Sequence, residues 1–164
     1  MISTAVTNFE VMRQKNIRRI KRSILFNIQS FHFCNSYKLE KFQHFYLIKN
    51  YIKKKQKEIE IFNKEKNIDV SMDINGRRLT NIGLFRQYAL EYLHQHPKIS
   101  QSETLMVRHL EPTPYGLPIE LYCFTNTSES VKYEQIQASV FDHLLTAAKE
   151  FNLKVTQVTA NVTH

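Results

Sequence analysis

The stretch TLMVRHLEPTPYGLPIELYCFT, residues 104–125, carries the clearest fold signal in the chain. Residues 104–110 and 117–125 each alternate between apolar and polar side chains, which predicts two β-strands. The intervening EPTPYG supplies prolines and a glycine, the residues of a turn. We therefore predict a β-hairpin. One face of its second strand carries Leu117, Ile119, Leu121 and Cys123, and the other carries Glu120, Tyr122 and Phe124.

Before the hairpin, the sequence predicts one strand followed by helix. Residues 22–34 are rich in β-branched and aromatic side chains and predict a strand. Near Ser30 the apolar residues change from even-numbered to odd-numbered positions, which predicts a bulge or the end of the strand there. From residue 36 to about 66 the apolar spacing is that of one helix face. This pattern predicts a long helix with room for one break.

A second helix is predicted from a cap at Thr80 or Asn81 to Pro97, and Ser130 is expected to cap the last helix. Residues 153–159 predict a short closing strand. The resulting order is the βαββαβ pattern with one extra helix. The predicted fold is therefore α+β, a ferredoxin-like two-layer sandwich with helices on one face of a four-stranded sheet.

The charge is uneven along the 164 residues. Residues 1–80 hold 17 Lys/Arg and 7 Asp/Glu, whereas residues 81–164 hold 6 and 8. A basic half indicates a nucleic-acid partner, an anionic membrane surface or a solvated helix face. For the lysine run near residue 55, we favour the solvated face.

The glycine, cysteine and histidine residues do not have the spacings of known phosphate-binding, catalytic or metal-binding motifs. The three glycines are isolated, so the chain lacks the closely spaced glycines that a phosphate-binding loop needs. The two cysteines form no C-x-x-C and are expected to be buried thiols. His94 and His96 would lie about 200° apart on a helix, which does not suit a shared metal. We expect no enzyme activity, no cofactor and no metal.

Tyr122 and Phe124 raise the possibility of RNA binding, because sheet aromatics stack bases in RNA-recognition domains. The RNP1 motif of such domains is absent from the sequence. The alternative is that both rings pack on a neighbouring subunit or domain, and we favour it. A free-standing ferredoxin-like nucleic-acid-binding protein remains the second hypothesis.

Several motifs occur together in one order: RRIKRSI (18–24), NGRRLTNIGLFRQY (75–88), LHQHPKI (93–99), VRHLEPTPYGLPIELYCFTN (107–126) and YEQIQASVFDHLL (133–145). With these motifs the chain resembles the cytoplasmic part of the mechanosensitive ion channel family, in its miniconductance branch. The resemblance covers nearly the whole chain.

The resemblance implies an organisation and a function. Residues 1–30 correspond to the end of a membrane-proximal β domain, and residues 31–164 correspond to a C-terminal α/β domain with 67–80 as an inserted loop. The full-length channel is expected to be a homo-oligomer of seven subunits in the inner membrane of a bacterium. It would pass ions under membrane tension or osmotic shock, and this region would form the vestibule on the cytoplasmic face.

The chain departs from the family because the membrane spans and most of the β domain are missing. We expect a fragment that is soluble and does not conduct ions alone. It would contribute to subunit assembly, with no nucleic acid as partner. Six residues are candidates for a basic interface with headgroups or acidic neighbours: Arg18, Arg19, Lys21, Arg22, Arg77 and Arg78.

Overall fold

The computed structural model describes residues 4–157. Five α-helices and three β-strands make up this part of the chain. In order they are α1 (Thr4–Gln14), β1 (Arg18–Phe26), α2 (Ser36–Phe42), α3 (Lys49–Glu65), α4 (Asn81–Gln95), β2 (Met106–His109), β3 (Leu117–Thr125) and α5 (Ser130–Ala147). Short 3₁₀ helices occupy Ile28–Ser30 and Ala148–Phe151.

The three strands form one antiparallel sheet in the order β1, β3, β2. Ile119 of β3 lies opposite Ile24 of β1, and Leu121 lies opposite Val107 of β2. The predicted hairpin is therefore confirmed, and so is the α+β class. Because β3 lies between two partners, nearly every residue along it is buried or half-buried.

The first strand is displaced from its predicted position. It begins earlier, at Arg18, and it ends at Phe26 rather than continuing to residue 34. Asn27 ends it, because its side chain accepts the Gln29 amide at 2.9 Å and caps the following 3₁₀ helix. The short polar side chain thus competes with the strand ladder for the backbone.

The predicted closing strand is reduced to a bridge. Within the described residues, Val155 pairs with Phe26 in antiparallel orientation. The Asn27 amide donates to the Lys154 carbonyl at 2.9 Å beside it. Residues 158–159 of the predicted strand lie outside the described part of the chain.

The predicted long helix is broken once, as expected, between α2 and α3. The amides of His44, Phe45 and Ile48 each donate to a carbonyl three residues earlier, which tightens the chain at the break. The break allows Phe42 and Phe45 to pack on the Phe151 ring, each at 5.2 Å between ring centroids. Burial of these rings holds the two helices against the rest of the molecule.

The other two helices follow their predicted spans, but one cap differs. Thr80 caps α4, because its hydroxyl accepts the Gly83 amide at 3.1 Å. Glu129 rather than Ser130 precedes α5, and its side chain makes no capping hydrogen bond. Ser130 instead accepts a hydrogen bond from the Arg18 guanidinium at 3.3 Å, so its hydroxyl serves the contact with β1.

The core lies between the sheet and the helices that pack on one of its faces. Fully buried aromatic rings meet there, and Phe85 of α4 contacts both Phe26 of β1 and Phe151 edge to face. Each such ring stabilises the fold by about 2–3 kcal/mol when it leaves water. The same core contains Ile20, Ile24, Ile52, Leu93, Ile119, Leu121, Val140 and Leu144.

The predicted boundary at residue 30 falls next to a strand of this same sheet. Arg18–Phe26 pairs with β3 along its whole length, so this part of 1–30 shares its core with 31–157. Thr4–Gln14 is helical and contacts β1. The origin of 1–30 in a separate β domain stays a prediction. Among the described residues, no helix combines the length and the apolar composition needed to cross a bilayer.

Candidate functional site

The four basic residues of β1 lie on two different faces of the sheet. Successive side chains of a strand point to opposite faces. Arg18 and Arg22 share the face of the buried Ile20 and therefore turn towards the helices. Arg19 turns to the opposite face, and so does Lys21, which lies in register with Tyr122 of β3.

Arg18 and Arg22 fasten β1 to α5. The Arg18 guanidinium carbon lies 4.0 Å from the centroid of the Tyr133 ring, and that of Arg22 lies 4.5 Å from the Phe141 ring. Such cation–π contacts contribute on the order of 0.5–1 kcal/mol at exposed positions. The Tyr133 hydroxyl also donates to the Arg19 carbonyl at 2.7 Å. These two arginines therefore act inside the fold.

The opposite face of the sheet is partly open to solvent, and we call it the outer sheet face. Tyr122 and Phe124 form an edge-to-face pair there, with 5.7 Å between their centroids. The Arg19 guanidinium lies 6.0 Å from the Tyr122 centroid, and both Arg19 and Lys21 are exposed. The outer sheet face consists of Arg19, Lys21, Arg108, Glu120, Tyr122 and Phe124.

An ion pair lies on the outer sheet face beside these rings. The Arg108 Nε and Nη2 atoms donate to Glu120 Oε1 at 3.0 and 2.9 Å. Glu120 is buried, so the hydrogen bonds from Arg108 offset the desolvation of its side chain. The sequence predicts that Glu120 lies on the face opposite Ile119 and Leu121, but it does not predict the partner, because the contact depends on the register of β2 with β3.

Arg77 and Arg78 are used by the loop that contains them. The Arg78 guanidinium donates to the Val70 and Asp73 carbonyl oxygens at 2.9 and 3.1 Å, and it lies 3.8 Å from the Asp73 carboxylate. The Arg77 guanidinium carbon lies 5.5 Å from the Phe62 ring centroid. The six candidate basic residues thus occupy three separate places: the two sheet faces and this loop.

A cluster of aromatic and histidine rings lines an open groove between α4 and α5. The Tyr92 and His143 rings stack at 4.2 Å, and the Tyr88 hydroxyl lies 2.7 Å from His143 Nε2. Burial raises the pKa of Tyr88 above its ordinary value, which favours the protonated phenol. The groove has a volume of about 780 Å³.

The two histidines at the end of α4 have separate partners. His94 Nδ1 lies 3.1 Å from Gln101 Oε1, whereas His96 Nδ1 accepts the Lys98 amide at 3.0 Å. Burial, together with His143 and Lys98, holds the pKa of His96 below its usual value. Within the described residues, no three His, Cys, Asp or Glu side chains are grouped to hold a metal ion.

The cysteines carry no activated thiol. Cys34 and Cys123 are free and buried, as predicted. Burial raises the pKa of Cys34 to about 11 and that of Cys123 to about 12, which opposes formation of a nucleophilic thiolate. Neither thiol is therefore poised to act as a nucleophile. No protein-family model matches the chain.

Proposed function

We propose that this chain is part of the cytoplasmic region of a mechanosensitive ion channel, where it supports subunit assembly and gating without catalysis. The observation that carries the proposal is the position of its motifs. Four of the five motifs of the resemblance include a segment where the chain enters, leaves or covers the sheet, and the fifth, RRIKRSI, lies within β1. Motifs with such structural tasks are expected of one family's shared domain rather than of chance similarity.

Two of the motifs lie around α4. In LTNIG, Thr80 caps the helix and Asn81 is fully buried. In HPKI, the chain leaves α4 and returns to the sheet, because Ile99 bridges Thr125 of β3. The Asn126 amide donates to the Lys98 carbonyl at 2.9 Å at the same place.

The other two motifs form the hairpin turn and the helix over the sheet. In EPTPYGLP, Gly116 has a φ of 139° and lies against the Phe26 backbone. In QASVFDHLL, Val140, Phe141 and Leu144 are the buried residues that face the core. The tasks of all four motifs agree with one scaffold.

The strand order supports the ferredoxin-like part of this proposal. β1 and β2 are both antiparallel to β3, which lies between them, so they are parallel to each other as in a split βαβ unit. On the other side of β1, Val155 bridges Phe26. A fourth strand at this position would complete the βαββαβ sheet.

In this function the chain acts through its surfaces. Membrane spans and a pore would be supplied elsewhere, and seven copies would surround a vestibule. The outer sheet face offers aromatic rings, a cation and a neutralised ion pair, a composition that suits contact with an identical subunit. Solvated charges on the remaining walls would let ions and osmolytes pass.

A chimeric channel tests the proposal. Residues 18–157 replace the equivalent region of a miniconductance channel, and survival of hypo-osmotic shock is measured in bacteria lacking their own channels. We expect survival and tension-gated currents from the chimera, and no currents from the chain reconstituted alone. Loss of heptamers in a chimera that reaches the membrane, measured by native mass spectrometry, would contradict the assembly function.

A second candidate function is binding of single-stranded nucleic acid, favoured by Arg19 beside the Tyr122 and Phe124 rings on a sheet face. Base stacking on such rings contributes about 1–3 kcal/mol per base. The test is fluorescence anisotropy with a labelled single-stranded RNA at low and moderate salt. Binding that weakens steeply with salt and is lost in Y122A/F124A, but not in the control Tyr115→Ala, would favour this candidate over the channel.

A further inference from the structure

The loop after α3 exposes three large apolar side chains in a regular pattern. Val70, Met72 and Ile74 occupy alternate positions, and their exposed fractions are 47%, 62% and 75%. Scattered apolar residues on a surface need no explanation, but a local group of them marks a contact site. These exposed fractions are high enough that the three side chains contribute little to the core.

The loop holds this arrangement through its polar groups. Arg78 donates to the carbonyl oxygens of Val70 and Asp73 from inside the loop. The Asn63 side chain of α3 accepts the Arg77 amide at 2.9 Å and donates to the Arg77 carbonyl at 3.0 Å. Because the backbone is bound from within, the loop presents its apolar side chains to solvent in an ordered form.

The helix that leads into the loop presents lysines on its exposed side. Their spacings of four, four and seven residues keep four of them on one exposed stripe of α3. Residues 49–78 contain nine Lys/Arg and five Asp/Glu. Of those carboxylates, Asp73 pairs with Arg78, and Glu58 pairs with Lys55 at 3.1 Å. The stripe consists of Lys49, Lys53, Lys57 and Lys64.

An anionic lipid surface has the chemistry that matches both features. A polyanion such as RNA would neutralise the lysines but would leave the apolar side chains in water. A bilayer with anionic headgroups attracts basic residues and takes apolar side chains into the boundary between headgroups and acyl chains. Lys64 and Lys66 precede the apolar positions of the loop and Arg77 follows them, so positive charge flanks these positions on both sides.

We propose that α3 and the loop 66–78 form a peripheral contact with an anionic membrane surface, in which Val70, Met72 and Ile74 enter the headgroup boundary and the lysines of α3 meet the headgroups. This contact needs no spanning helix. It goes beyond the proposed channel function and does not rest on it, because it concerns lipid binding by the chain on its own.

A tryptophan probe tests the contact directly, since the chain has no tryptophan. Ile74→Trp places a single fluorophore at the most exposed apolar position, and Tyr115→Trp is the matched control on the hairpin turn, itself 59% exposed. With vesicles of phosphatidylcholine containing about 30% phosphatidylglycerol, we expect a blue shift and quenching by brominated acyl chains for the first variant only. Equal spectra with and without vesicles would overturn the proposal.

Vesicle sedimentation of the unlabelled chain separates the two parts of the contact. We expect V70S/M72S/I74S to bind anionic vesicles on the order of tenfold more weakly, and K64Q/K66Q to lose its preference for anionic over zwitterionic vesicles. Lys132→Gln, an exposed lysine on α5, should bind like the unmodified chain. If circular dichroism shows the triple variant unfolded, Ile74→Ser replaces it.

Two other occupants of this surface are outcomes of the same experiment. If the apolar variant binds vesicles as well as the unmodified chain and both are displaced by heparin, the surface binds polyanions in general and the proposal fails. If the unmodified chain self-associates in sedimentation velocity, the apolar variant does not, and neither binds vesicles, the loop contacts a second copy and the proposal also fails.

Discussion

Asn81 joins three segments that are distant in sequence. Its side-chain oxygen accepts the His32 amide at 3.0 Å, and its side-chain nitrogen donates to the carbonyls of Ser30 and Phe151 at 3.0 and 2.9 Å. The residue is completely buried. It therefore satisfies one buried and two part-buried backbone groups.

We expect Asn81→Ala to lower the free energy of unfolding by about 3 kcal/mol, because it leaves these buried and part-buried backbone groups without partners. Urea unfolding followed by circular dichroism measures the change. Asn126→Ala is the matched control: this exposed side chain donates to the Pro97 carbonyl at 3.1 Å, and its loss should lower the free energy by less than about 1 kcal/mol. Equal effects in the two variants would contradict the joining role of Asn81.

The sequence could identify the cap of α4 but not this role of Asn81. An N-cap is a local pattern, because the capping hydroxyl accepts a hydrogen bond from the amide three residues later, as Thr80 does from Gly83. The partners of Asn81 lie 49 and 70 positions away at His32 and Phe151. Such contacts depend on the assembled core, so no local spacing predicts them.

The buried cysteines provide a second test at the scale of single residues. With pKa values of about 11 for Cys34 and about 12 for Cys123, the thiolate forms rarely at pH 8. We expect Ellman's reagent to react on the order of 100-fold more slowly with the folded chain than with the chain in guanidinium. Rapid reaction of either thiol in the folded chain would show that it is accessible, contrary to the structure.

At the scale of elements, the hairpin turn depends on a glycine. Gly116 adopts a φ of 139°, and an added Cβ would lie 2.7 Å from the Phe26 carbonyl oxygen. We expect Gly116→Ala to lower the free energy of unfolding by about 2 kcal/mol, since both the backbone conformation and the contact oppose a side chain. Thermal unfolding measures the loss.

The neighbouring Tyr115 provides the control for this turn. Tyr115→Ala removes an exposed ring from the same turn without changing its backbone and should unfold within about 2 °C of the unmodified chain. If Gly116→Ala unfolds at the same temperature as Tyr115→Ala, the turn tolerates a side chain and the account of the hairpin is wrong.

The elements differ in how far the sequence predicted them. The hairpin was predictable because its alternation and turn residues are contiguous. The limits of β1 were not, because the ladder that fixes Arg18–Phe26 is made with β3, almost a hundred residues later. Asn27 then ends β1 through a local side-chain hydrogen bond, which the alternation of apolar residues does not predict.

At the scale of the whole molecule, three histidines make stability depend on pH. Burial is the largest cause that lowers the pKa of His32, His96 and His109 below 6.5 in the folded chain. The unfolded chain therefore binds protons first as the pH falls. Stability is fully present above pH 6.5 and is lost as the pH falls from there through the folded pKa values.

Urea midpoints at pH 7.5 and 5.5 measure this effect. We expect a lower midpoint at pH 5.5, and we expect the difference to shrink in H32N/H96N/H109N. The exposed His44 provides the control, because His44→Asn should leave the difference unchanged. An unchanged pH dependence in the triple variant would assign the effect to other groups.

The candidate interface shows what a sequence pattern cannot resolve. The six candidate basic residues come from two separate runs, 18–22 and 77–78, and alternation along β1 sends Arg18 and Arg22 to the helices and Arg19 and Lys21 away from them. The loop 67–80 is predicted from its polar, irregular sequence. Only the fold shows that its Val70, Met72 and Ile74 side chains are exposed.

The position of β1 has a consequence for solubility during folding. Apart from the bridge at Val155 and the hydrogen bond from the Thr156 amide to the Leu25 carbonyl, the described chain pairs β1 with a strand on one side only, so its other edge is a potential template for aggregation. β1 carries Arg18, Arg19, Lys21 and Arg22 along that edge. Two copies that docked there would bring like charges together, so the same residues also act as gatekeepers, and salt would weaken their protection.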